Sequence, residues 1–182
     1  MHAIRASARH ALAIHATAEL LEKQRIESMF VGAIARSAWL GEEVASGPVD
    51  LVALMNAPQK NQVAMMASHR GFRVEKEEIE QAEELDLIPL NFIHSDGDVR
   101  VHVLLASNAL YGRMVAAAVT ATIDQRSVQV ARAEDLALLS LVAEDPATVS
   151  RLSDLPGFDR TAFRDRVVSI GLPGSGGEVP GV

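Results

Sequence analysis

Phe30-Val31-Gly32-Ala33-Ile34-Ala35-Arg36-Ser37, followed shortly by Ser46-Gly47-Pro48-Val49-Asp50-Leu51-Val52, is the stretch on which the reading of this chain turns. The first segment reads as a strand over 28–31, a turn at Gly32 and a helix beyond it, because glycine permits backbone geometry that a side chain would block. The second passes through glycine and proline into an apolar run over 49–55 with one charge, Asp50, near its start. That pattern suits a strand buried on both faces. Alternation along it sets Asp50, Val52 and Leu54 on the same side.

Strands and helices interleave downstream. Asn56 and Pro58 mark a helix start, Val63, Met66 and Ala67 its buried side, and Gly71 its left-handed stop. The runs 87–94 and 99–106 read as strands joined by Ser95-Asp96-Gly97-Asp98, and Asp-Gly is the pair that a tight primed turn prefers. With Asp96 and Gly97 at its centre, Phe92 faces Val101, Asn91 faces His102 and Ile93 faces Arg100. Val99, Val101, Val103 and Leu105 then line a buried face, with Arg100, His102 and Leu104 on the other. Helices are expected over 108–121, 133–144 and 159–170, with a short strand over 128–130.

Upstream, Ile4, Ala8, Ala11, Leu12, His15 and Ala18 repeat at helical spacing and give a first helix an apolar stripe. His15 on that stripe reads as a packed or capped core residue, and His10 misses the i, i+4 position that a metal pair would use. Glu75, Glu77, Glu78, Glu80, Glu83, Glu84 and Asp86 form an acidic run without convergent spacing, read as a solvated face or loop. The expected class is therefore α/β (α+β): a mixed β-sheet with flanking helices and further C-terminal helices. A chain of 182 residues, 48% hydrophobic, suits one such domain over 1–170, with a core at about 26–143, a helical part over 144–170 and a glycine- and proline-rich flexible tail over 171–182.

A formal charge of -7 argues against a sequence-independent grip on nucleic acid, which needs clustered Lys and Arg. With no cysteine there is no thiol nucleophile and no thiolate metal site. The first two dozen residues are rich in Ala and Arg, but Glu19 and Glu22 favour a helix over a transit peptide. No run approaches a membrane span, and the cytoplasm is the expected location.

The order strand, glycine turn, helix, Asp-bearing strand, later strand resembles the minimal nucleotidyltransferases of the DNA polymerase beta superfamily, particularly the small bacterial stand-alone members of toxin–antitoxin and abortive-infection pairs. The segment Val128-Gln-Val-Ala-Arg-Ala-Glu-Asp-Leu-Ala-Leu-Leu-Ser-Leu-Val-Ala143 is similar to their strand leading into a helix near Glu-Asp-Leu. The resemblance implies carboxylates that hold Mg2+ ions against a triphosphate and lower the pKa of an attacking hydroxyl. It implies a glycine turn whose backbone N–H groups approach phosphate, with Gly32, Ala33, Arg36 and Ser37 as nucleotide-binding positions.

This chain departs from that pattern at four places. Pro48 stands at the first acidic position and Asp50 at the second, His102 replaces the third carboxylate, Ala33 replaces the second glycine, and Ser140 stands where a lysine is expected. Asp50 and His102 on adjoining strands would make a single-metal or proton-transfer pair, or else a hydrogen-bonded remnant in which Asp50 caps the Gly32 helix or binds Arg36. The first expectation is a nucleotidyltransferase-fold protein, catalytically impaired, acting through nucleotide or protein binding. A second is an active metal-dependent enzyme moving a nucleoside monophosphate from a nucleoside triphosphate to a hydroxyl, with Glu42, Glu43 or Asp98 adding a ligand. A third is an interaction subunit, a homodimer or antitoxin-like partner, using the first helix or the segment from Ser107 to Thr120.

Overall fold

The computed structural model describes residues 2–74, 87–106 and 108–170, so the acidic run and the tail lie outside the described residues. Two compact units follow one another, one ending at Ala131 and the other beginning at Arg132. Among the described residues there are seven α-helices and an eight-stranded mixed sheet, the class expected from the interleaved pattern. No helix among them is long and apolar enough to cross a membrane.

The sheet belongs to the first unit. Its strands are β1 (His2–Ala3), β3 (Ser28–Phe30), β5 (Val49–Ala53), β6 (Phe72–Val74), β7 (Leu87–Phe92), β8 (Val99–Leu105), β9 (Val119–Ile123) and β10 (Arg126–Val130), in the spatial order β1-β9-β10-β3-β5-β8-β7-β6. A separate pair joins β2 (Arg5–Ala6) to β4 (Glu43–Val44). The central pairing is β5 with β8, parallel, flanked by antiparallel β3 and β7. Val49, Leu51, Val101 and Val103 have no exposure at all, as a sheet face covered by helices requires.

Helix α1 (Ala8–Lys23) packs on β5 and β8, and α3 (Ala57–Ala67) on β6 and β7. The α1 stripe differs from the expected one. His10, Ala11, Ala13, Ile14, Thr17, Leu20 and Leu21 are buried, Ala11 among them as expected, whereas Leu12 is 48% exposed and Ile4, itself buried, precedes the helix. Counting from Ile4 put the frame one step off, because 4–6 is extended backbone. In α3, Val63 and Ala67 are buried as expected, Met66 only partly, and Asn56 with Gln59 closes a capping box.

Two further expectations fail for physical reasons. The helix expected over 108–121 stops as α4 (Ala109–Ala116), and Val119–Ile123 is strand β9, where alternating β-branched residues pair with β10. Asp124 and Gln125 both take positive φ, 45° and 67°, to make that hairpin turn. The β7–β8 register is also shifted by two residues: Phe92 faces Val99, Asn91 faces Arg100 and Pro89 faces His102. The turn centres on Ser95 and Asp96, closed by Gly97 N–H to the His94 carbonyl, with Gly97 at φ 110° after it. An even shift keeps every side chain on its expected face.

The second unit holds α5 (Ala133–Val142), α6 (Pro146–Ser153) and α7 (Arg160–Ser169). Asp145 and Asp159 cap α6 and α7, and Glu134 accepts the Asp159 backbone N–H at 2.9 Å. Ser140 is buried within α5. Asp135 on the same helix is 1% exposed, with Arg166 Nε 2.7 Å from Oδ1 in a charge contact that lacks hydrogen-bond alignment. Burial pushes the Asp135 carboxyl above its ordinary pKa, opposed by Arg166 and Arg132.

Candidate functional site

At one end of the central sheet β3 runs out, turns at Gly32 and starts α2 (Gly32–Leu40), while β5 begins beside it. The Val31 N–H donates to the Asp50 carbonyl at 2.9 Å, extending the ladder to the point where the turn begins. Gly32 has φ 55°, and a Cβ placed on it would meet Asp50 Oδ2 at 2.9 Å. The turn backbone therefore lies directly against the aspartate carboxylate. Only glycine satisfies both the left-handed conformation and the close approach.

Asp50 and His102 are partners in the parallel β5–β8 register, and His102 Nδ1–H donates to Asp50 Oδ1 at 2.9 Å. Their side chains are 28% and 33% exposed, so the pair opens to solvent. With Nδ1–H donating to the carboxylate, Nε2 is the ring nitrogen left to act as a hydrogen-bond acceptor.

The neighbouring candidates are placed differently. Asp50 makes no cap on α2, whose N-terminus has no side-chain hydrogen bond, and Arg36 pairs through Nε with Glu42 at 3.2 Å rather than with Asp50. Ser37 corrects the expectation that it faces phosphate. It is fully buried on the inner side of α2, where its Oγ accepts from Arg5 N–H at 2.8 Å and donates to the Arg5 carbonyl at 3.2 Å. The helix turns Ser37 inward because Ile34, Ser37 and Ala38 share its buried stripe. Ala33 is partly exposed at the turn.

Of the acids expected as further ligands beside Asp50, Glu42 is taken by Arg36, Asp98 by Arg73 at 2.7 Å, and Glu43 lies exposed in β4. Among the described residues no three His, Cys, Asp or Glu side chains gather as a metal site.

Sequence reasoning missed two residues here. His10, set aside for lack of a metal partner, is 1% exposed and binds the loop that leads into β5: its Nε2–H donates to the Gly47 carbonyl at 3.1 Å, and its Nδ1 then accepts from Ser7 Oγ at 2.8 Å. Its place three residues after the α1 N-cap, Ser7, was the available signal. Arg100, given a face but no role, is the second. His15 is only partly buried, its Nε2 lacks a partner, and burial followed by nearby Arg126 lowers its pKa, with Asp124 opposing.

Among solved structures the chain is similar to an antigenic nucleotidyltransferase-like protein from Paracoccidioides brasiliensis, with a TM-score of 0.61 at 12% identity over 92% of this chain and 89% of that one. ANT(2")-Ia, in complex with adenylyl-2"-tobramycin, is similar over 89% and 90% of the two chains at 17% identity and a TM-score of 0.46. No protein-family model matches the sequence, and no curated protein does. The first likeness shows a nucleotidyltransferase-like fold.

Proposed function

We propose that the protein binds a nucleoside triphosphate at the Gly32 turn and no longer transfers nucleotidyl groups efficiently. One observation carries the reading: the glycine turn abuts Asp50, and Asp50 is already bonded to the imidazole that stands at the third acidic position. The backbone of Gly32 and Ala33 at the start of α2 supplies the phosphate-facing groups. Asp50 and His102 stand where the family resemblance expects metal ligands and catalytic groups.

The donor set does not fit Mg2+. That ion takes six oxygens in a near-octahedral shell, whereas this face offers one carboxylate, a nitrogen donor hydrogen-bonded to that carboxylate, and Pro48, whose side chain has no ligating atom. Transfer assisted by two metals has too few carboxylates to work with, so no step is routed through a metal. What this chain's own residues do is hold the imidazole in one tautomer and set a glycine turn against the carboxylate that holds it. The Nε2 of His102 accepts a proton from a hydroxyl brought within reach, a modest aid without charge neutralisation at the phosphate. Such a protein works in the cytoplasm as a nucleotide-responsive partner of another chain or of a second copy.

Thermal shift with each nucleoside triphosphate, with and without Mg2+, tests the reading. A ligand at about a hundredfold its Kd adds roughly 2.7 kcal/mol to the folded state, a shift of several degrees. We expect stabilisation by at least one triphosphate and no pyrophosphate release above background. Magnesium-dependent pyrophosphate release that Asp50→Ala abolishes would make the protein an active enzyme instead, and no stabilisation by any triphosphate would leave only an interaction subunit.

A further inference from the structure

The mismatch between this site and Mg2+ leaves a charge problem that the sheet itself addresses. A triphosphate at the Gly32 turn would lie close to the Asp50 carboxylate, and in this fold a metal would ordinarily neutralise the two. Here the neighbouring strand carries a cation. One residue upstream of the Val49–Val101 register pair stand Pro48, just before β5, and Arg100, within β8. Strand alternation puts Arg100 on the side occupied by His102, one side-chain position nearer the sheet end at which Gly32 turns. A proline thus stands at the first acidic position, and the strand beside β5 carries a guanidinium near the same end.

Arg100 is exposed, and among the described residues it makes no hydrogen bond and no ion pair. The other cations near this face are already engaged. Arg36 is held by Glu42, and Arg73, in the same transverse row as Asn91 and Arg100, is held by Asp98. Arg9, at the same loops, donates to the carbonyls of Asp96 and Ala45.

Resting on the nucleotide-binding reading above, we propose that Arg100 is the phosphate-binding cation of this site and takes the place of the metal, so that the ligand is the metal-free polyphosphate of a nucleotide. Its planar fork bonds two phosphate oxygens at once and needs no acidic ligands, which accounts for a face that has lost them. Magnesium then competes with Arg100 for the same oxygens instead of assisting it.

Calorimetric titration of the full chain with ATP and with inorganic pyrophosphate, in EDTA and in Mg2+, tests this. We expect wild type to bind in EDTA, Mg2+ to leave binding unchanged or weaker, and Arg100→Gln to weaken it by about tenfold or more, the scale of a lost charge-assisted hydrogen bond. Arg100→Lys should fall between them, and Arg164→Gln, an exposed charge of α7, should bind as wild type does. An unchanged melting temperature shows that Arg100→Gln folds. Binding that requires Mg2+, or that survives Arg100→Gln intact, overturns the role of Arg100 while leaving nucleotide binding standing. Absence of any binding by wild type overturns both.

Discussion

Gly32 can be no other residue for two separate reasons, its left-handed φ of 55° and the Asp50 oxygen 2.9 Å from where a Cβ would stand. Gly32→Ala should therefore destabilise the first unit by about 1–3 kcal/mol, from left-handed strain and the displaced carboxylate together. Chemical denaturation reads the loss, and an unchanged midpoint would show that the turn relaxes freely. The Asp50–His102 bond is partly exposed, so its worth is modest. A double-mutant cycle with Asp50→Ala and His102→Ala should return a coupling of about 0.5–1.5 kcal/mol, and additive losses would show that the two side chains do not pair in solution. At this scale the sequence was informative where alternation decides the outcome. Alternation sets the faces of Asp50 and His102 within their own strands and the parallel register then joins them, whereas the partner that buried Ser37 meets, Arg5, lies in a two-residue strand with no periodic signal.

Elements were legible where their signals are local. The Asn56 box with Pro58 announces α3, and Asn56→Ala should cost about 1 kcal/mol, measured by denaturation, with a change under a few tenths arguing that the cap is not formed in solution. The β9–β10 hairpin was hidden because Asp124-Gln125 adopts two positive φ angles without the glycine that normally advertises them. Replacing Gln125 with Gly should stabilise the chain by roughly 0.5–1 kcal/mol by relieving that conformation, and destabilisation would mean that the Gln side chain contributes more than its backbone costs. The two-residue register shift at β7–β8 arose similarly, since Asp-Gly signals a turn without stating whether glycine sits at its centre or just after it.

At the scale of the molecule, two compact units were not evident from a sequence whose hydrophobic pattern continues across residue 131. Each unit has its own vulnerability. In the helical unit, burial raises the Asp135 carboxyl above its unfolded pKa, so its contribution is most favourable below about pH 3.9 and is lost as pH rises through the raised folded value. Wild type should accordingly lose stability relative to Asp135→Asn as pH increases across that window, and parallel pH profiles would contradict the shift.

In the sheet unit, the glycine turn, the Asp50–His102 pair and the parallel β5–β8 pairing meet at one end, and the claim is that this end still receives a nucleotide. Equilibrium binding of ATP to the intact chain, followed by calorimetry, tests it most directly: saturable one-to-one binding is expected in EDTA, and a flat titration with ATP and every other nucleoside triphosphate, in EDTA and in Mg2+ alike, would contradict it.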